Sequence, residues 1–67
     1  MSSIYKVVEI IGSSNTSWED AASSAVKSAA KTLRNLRVAE VKKMDIRIEE
    51  GELIYRVKLN VSFKLEE

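Results

Sequence analysis

With 67 residues the chain has room for one domain, and a chain this short buries only about 60% of the surface its unfolded form exposes. It contains no Cys and no His, which excludes disulfide bracing, the standard serine and cysteine triads and the commonest transition-metal ligand, and leaves oligomerisation as the favoured support. Eleven Lys and Arg against ten Asp and Glu give a net charge of +1, without the basic footprint of a nucleic-acid binder.

The opening "SIYKVVEIIG" is rich in β-branched residues and predicts a strand ending at Gly12. One face carries Tyr5, Val7, Glu9 and Ile11, the other Ile4, Lys6, Val8 and Ile10. Neither face is wholly polar. A strand covered on one side only alternates more cleanly, so part of its second face is expected to be covered by another subunit.

"GSSNTS" predicts a loop that leads into a helix. Thr16 with Glu19 forms a capping-box pattern, and Ser17 with Asp20 repeats the signal one residue on. The helix is predicted over "WEDAASSAVKSAAKTLRN". Trp18, Ala22, Ala25, Ala29 and Leu33 recur at helical spacing, and Ala21, Val26 and Ala30 widen the stripe. Because that stripe is mostly alanine, a sheet can approach closely. Asn35 is the best candidate for a left-handed residue at the helix exit.

"RVAEVKKMDIRIEE" predicts a second strand, with Val38, Met44, Ile46 and Ile48 on one side and Ala39, Val41, Asp45 and Arg47 on the other. "EEGE" around Gly51 predicts a hairpin turn, although the stronger Asn-Gly or Asp-Gly signal is absent. "LIYRVKLNVSFKLEE" alternates almost perfectly: Leu53, Tyr55, Val57, Leu59, Val61, Phe63 and Leu65 point in, and Ile54, Arg56, Lys58, Asn60, Ser62 and Lys64 point out. The expected fold is α+β with element order β-α-β-β, a three-stranded antiparallel sheet wrapped around one helix, forming a single domain over residues 1–67. No apolar run reaches the length of a membrane span and the N-terminus lacks a signal-peptide pattern, so a cytoplasmic protein without a membrane or nucleic-acid partner is the default expectation.

Candidate chemistry is sparse. The loop before the helix could hold an anion on free N–H groups, but it lacks the glycines and Lys of a phosphate loop, and its caps use those donors. Glu9 is expected to pair with a Lys or Arg across the sheet. Glu49, Glu50 and Glu52 could offer oxygens to a hard cation, against the plainer reading of a charged hairpin tip. Trp18 is expected to anchor the packing of the helix rather than stack on a ligand. The row Arg56, Lys58 and Lys64 could meet phosphates, against the plainer reading of a solvated or intersubunit face.

The order β-α-β-β, the opening "YKVVEIIGSS", the cap "TSWEDAA", the junction "LRVAEV" and the ending "YRVKLNVSFKL" together resemble the dodecins over nearly the whole chain. The resemblance implies a hollow homododecamer of cubic symmetry that binds or stores a small ligand and is not an enzyme. Typical dodecins bind flavins in pairs, with a tryptophan at the helix-to-strand junction stacking on each ring and a glutamine on the third strand meeting the ring edge. The positions that match are Val38 and Arg56, so both cofactor-binding residues are substituted. Valine has no π-face, and arginine has donors only. The details look closest to the calcium dodecin branch. That likeness implies calcium as a ligand, with the metal ligands unknown, and makes a flavin less expected. The alternatives are a flavin-storing dodecin and a purely structural scaffold.

Overall fold

Strict alternation in the last segment builds the centre of the sheet. The computed structural model describes residues 3–65. It contains β1 (Tyr5–Ser14), α1 (Trp18–Ala29), β2 (Leu36–Glu49) and β3 (Glu52–Lys64). All pairing is antiparallel, and the sheet order is β1-β3-β2, so β3 is bonded on both sides. Its inward row becomes the core: Val57, Leu59 and Val61 are buried together with Ala21 of the helix. Val8, Ile10, Trp18, Ala22, Ala25, Val26 and Leu36 pack around them. The expected α+β fold and the inward face of β3 are both present.

Gly12 lets the helix lie this close. A Cβ there would collide with the backbone carbonyl of Ala21 and stand 2.8 Å from the Ala25 Cβ. The small-residue stripe of α1 and the bare Gly12 are therefore two halves of one contact. Gly12 lies inside β1 and does not end it. The strand runs on through Ser14, and the loop is shorter than "GSSNTS" suggests.

The helix begins and ends differently from expectation. Ser17, not Thr16, is the N-cap, and its hydroxyl accepts from the Asp20 N–H at 2.9 Å. The cap falls there because Ser14 holds the preceding turn: its Oγ accepts from the Thr16 N–H at 2.9 Å and donates to the Asp20 carboxylate at 2.7 Å. Regular helix stops at Ala29, short of Asn35. Past it, the Lys31 and Thr32 N–H groups bond back only three residues, to Ser28 and Ala29, tightening the last turn. Asn35 does adopt the left-handed conformation, with φ 63°, and its carbonyl accepts from the Lys64 N–H at 3.1 Å. It turns the chain onto the end of β3 rather than capping the helix.

The expected faces of β2 are corrected by two irregularities. The register with β3 shifts between Leu36 and Val38 and again between Val41 and Lys43. Each extra residue flips the alternation. Leu36, Ala39, Val41, Met44, Ile46 and Ile48 therefore lie opposite the inward row of β3, and Val38, Glu40, Lys43, Asp45 and Arg47 lie opposite its outward row. Val38 does not share a face with Met44, and Asp45 does not share one with Val41.

A twelve-residue helix is about 18 Å long, whereas fourteen residues of strand extend about 46 Å. The end of the β2–β3 hairpin consequently reaches past anything α1 can cover. The protomer measures 52 × 20 × 13 Å, with a radius of gyration of 13.8 Å against about 11 Å for a compact chain of this length. At the hairpin tip, Glu50 and Gly51 have positive φ of 49° and 81°, the pattern of a two-residue type I′ turn between the paired Glu49 and Glu52.

Candidate functional site

The helix covers one face of the sheet and leaves the other open. Along the open face β1 presents Tyr5, Val7, Glu9 and Ile11; β3 presents Arg56, Lys58, Asn60, Ser62 and Lys64; β2 presents Val38, Glu40, Lys43 and Asp45. Tyr5, Val7, Ile11 and Val38 are each at least half exposed, a substantial apolar surface for so small a protomer. The mixed pattern of the first strand thus has its physical counterpart: Val8 and Ile10 pack against the core, and Tyr5, Val7 and Ile11 stay at least half exposed on the open face.

At the middle of this face Arg56 is fixed by Asp45. Its Nε and Nη2 donate to the two carboxylate oxygens at 2.7 and 2.8 Å, a bidentate fork between directly opposed residues of β3 and β2. The hydrogen bonds from Arg56 hold the Asp45 carboxyl below its ordinary range, and the charges of Arg56 and Lys43 add to that effect. The same fork raises the Arg56 guanidinium above its ordinary value. Asp45 also uses its backbone carbonyl, which accepts from the Trp18 indole N–H at 3.2 Å. Trp18 packs edge-on to Tyr55, with ring centres 5.2 Å apart. Trp18 is therefore the packing anchor expected of it, and through Asp45 it ties the helix start to the strand that carries the fork.

The two positions singled out by resemblance are far apart within one protomer. Val38 is 61% exposed and lies opposite Ser62, while Arg56 lies opposite Asp45. The two β3 positions are six residues apart, about 20 Å along the strand. One protomer does not bring Val38 and Arg56 to a common ligand.

The remaining candidates resolve simply. Glu9 reaches Lys58 on the neighbouring strand at 3.7 Å, the cross-strand pairing expected of it. The loop before the helix uses its groups on its own caps. Glu49, Glu50 and Glu52 border one open hollow at the hairpin tip, and Glu49 pairs with Arg47 at 2.8 Å. Among the described residues no group of three or more acidic side chains is arranged to hold a metal ion. Among the same residues no helix is long and apolar enough to cross a membrane.

Asp45 was the functional-face residue that sequence patterning misplaced. An acid opposite a basic residue on paired strands is a usable signal, but it needs the register, and the irregularity between Val41 and Lys43 conceals it.

Comparison with known proteins accounts for this architecture. The Dodecin family profile matches residues 4–66. The calcium dodecin of Mycobacterium tuberculosis is 48% identical over 64 residues, covering 94% of this chain and 90% of that protein. A crystal structure of that protein, described as calcium-chelating with a calcium-binding site, superposes with a TM-score of 0.87 at 47% identity, covering 94% of this chain and 91% of the other. The dodecin of Thermus thermophilus is 44% identical over 68 residues, covering 100% of this chain and 99% of that protein. The β-α-β-β order, the antiparallel sheet around one helix and the match over nearly every residue agree: this chain belongs to the dodecin family.

Proposed function

We propose that this protein is a non-enzymatic binding or storage protein of the cytoplasm that assembles as a hollow dodecamer and does not stack flavins in pairs. The observation that carries the reading is the fork between Arg56 and Asp45. At the position where a typical dodecin would offer an amide to the ring edge, this chain has a guanidinium that lacks an acceptor and whose Nε and Nη2 already donate to a carboxylate. Val38 at the stacking position supplies no π-face. Two apolar regions support assembly: the open face around Tyr5, Val7 and Ile11, and the uncovered hairpin with Ile48 and Leu53. Calcium is the first ion to examine, because the relative at 48% identity carries that name. Since no carboxylate cluster is found among the described residues of one protomer, a calcium site built from them would draw oxygens from more than one copy.

Native mass spectrometry tests the assembly, with twelve copies expected and a monomer at low micromolar concentration contradicting it. Riboflavin titration tests the loss of stacking. The expected outcome is no stoichiometric quenching of flavin fluorescence, and strong stoichiometric quenching would overturn the reading. Val38→Trp should gain quenching if Val38 occupies the stacking position. Calorimetric titration with calcium separates an ion-binding assembly from a purely structural one, which would give no heat beyond dilution.

A further inference from the structure

Beside the Asp45–Arg56 fork the open face has a shallow hollow of about 190 Å³ lined by Ile11, Lys43, Asp45, Arg56 and Lys58. Lys43 and Lys58 are directly opposed across β2 and β3. Like charges in that arrangement repel and destabilise a sheet unless something neutralises them. The neighbouring acids are largely committed. Both oxygens of Asp45 are bound by Arg56. Glu9 approaches only Lys58, at 3.7 Å, the long end of an ion pair. Lys43 makes no ion pair among the described residues. Two lysines thus border one hollow whose nearby carboxylates, Asp45 and Glu9, are already engaged by Arg56 and Lys58. Ile11, 65% exposed, forms an apolar wall.

We propose that Lys43 and Lys58 form a binding site for a small oxyanion of the phosphate class, free or carried by a phosphate monoester, with the Asp45–Arg56 fork as its fixed wall. Lysine ammoniums are compact donors that can turn towards a tetrahedral anion. An anion between them would convert the opposed pair from a repulsive contact into a bridged one. Asp45 sets the strength of the site, because it withholds the Arg56 guanidinium from the anion. The inference rests on side chains of a single protomer and on the proposed assembly leaving this part of the open face accessible, and it is independent of flavin stacking.

The test uses the assembled protein and inorganic phosphate, with chloride at matched ionic strength as control. Phosphate should raise the melting temperature beyond chloride and give a saturable calorimetric isotherm. Lys43→Ala and Lys58→Ala should each weaken phosphate binding by about tenfold or more. Lys43→Ala should also raise the melting temperature in phosphate-free buffer, since it removes the repulsion. Asp45→Asn should tighten phosphate binding by releasing Arg56. Comparing FMN with riboflavin distinguishes a monoester from the free ion: preferential binding of FMN that is abolished in Lys43→Ala assigns the site to phosphorylated ligands. Equal responses to phosphate and chloride overturn the proposal. So does dissociation of the assembly in Lys43→Ala with phosphate binding intact, which would make the lysine pair a contact between copies.

Discussion

Leu59 and Ile48 are aliphatic residues on the same face of the same sheet, and their surroundings are opposite. Leu59 is 1% exposed beneath α1, whereas Ile48 is 72% exposed on the hairpin beyond it. The difference follows from helix and strand geometry: a residue of strand advances more than twice as far as a residue of helix, so one twelve-residue helix covers only part of the sheet. The covered half is a small, closely packed core built on Gly12, Ala21 and the inward row of β3. The uncovered half has the composition of a core without its cover. Its apolar side chains gain from burial only when something outside the protomer lies over them.

The largest expected effect tests the covered half. Leu59→Ala should cost about 2–5 kcal/mol, enough to unfold a protomer of this size or to make folding depend wholly on assembly, as read by denaturant titration. The matched change at the hairpin, Ile48→Ala, should stay within about 0.5 kcal/mol for an isolated protomer. In the assembled protein it should instead make the melting temperature depend more steeply on protein concentration. Equal effects at the two sites in dissociated protein would erase the distinction between the halves.

The fork gives a subtler, pH-dependent test. The carboxyl of Asp45 is held below its ordinary 3.8, so it binds protons less readily folded than unfolded. Its contribution is therefore full above the ordinary value and is lost as pH falls through the lowered one. Asp45→Asn should remove that acid-side loss, leaving a flatter stability profile below about pH 4. An unchanged profile in the variant would show that the fork has no influence on stability. The smallest effect is at the hairpin tip. Glu50 holds a left-handed conformation that favours Asn or Gly, so Glu50→Asn should stabilise by about 0.5–1 kcal/mol in thermal unfolding.

The two halves were not equally legible in the sequence. The inward row of β3 could be read directly because apolar and polar residues alternate strictly from Tyr55 to Lys64. The order of elements follows from the same periodicities, and Asn35 has the left-handed conformation expected of it, although it turns the chain into β2 rather than capping the helix. The faces of β2 could not be read, because neither shift of register is signalled by a glycine and each inverts everything beyond it. That inversion is why strict alternation puts Val38 on one side with Met44, Ile46 and Ile48 and does not bring Asp45 opposite Arg56. The sequence pattern runs longer than the helix because "KTLRN" contains nothing that forbids helix; the helix end is set by three-residue back-bonding after Ala29. The cap moved from Thr16 to Ser17 because Ser14 already holds the preceding turn. Each error concerns where one pattern meets another, and such joints depend on tertiary contacts.

The central place of β3 also has a consequence for how the chain is made. Both other strands find their hydrogen-bonding partner only in β3, with Tyr5 pairing as far along the chain as Lys64. During synthesis β1, α1 and β2 emerge first and have no sheet to join. The helix turn can form locally, but the layer it packs on is completed only when the last strand arrives. Folding is therefore a late, long-range event, with the slow loop closure that such pairings impose. A ribosome that stalls after Gly51 would release a chain containing all the apolar residues of β1 and β2 and none of the strand that organises them.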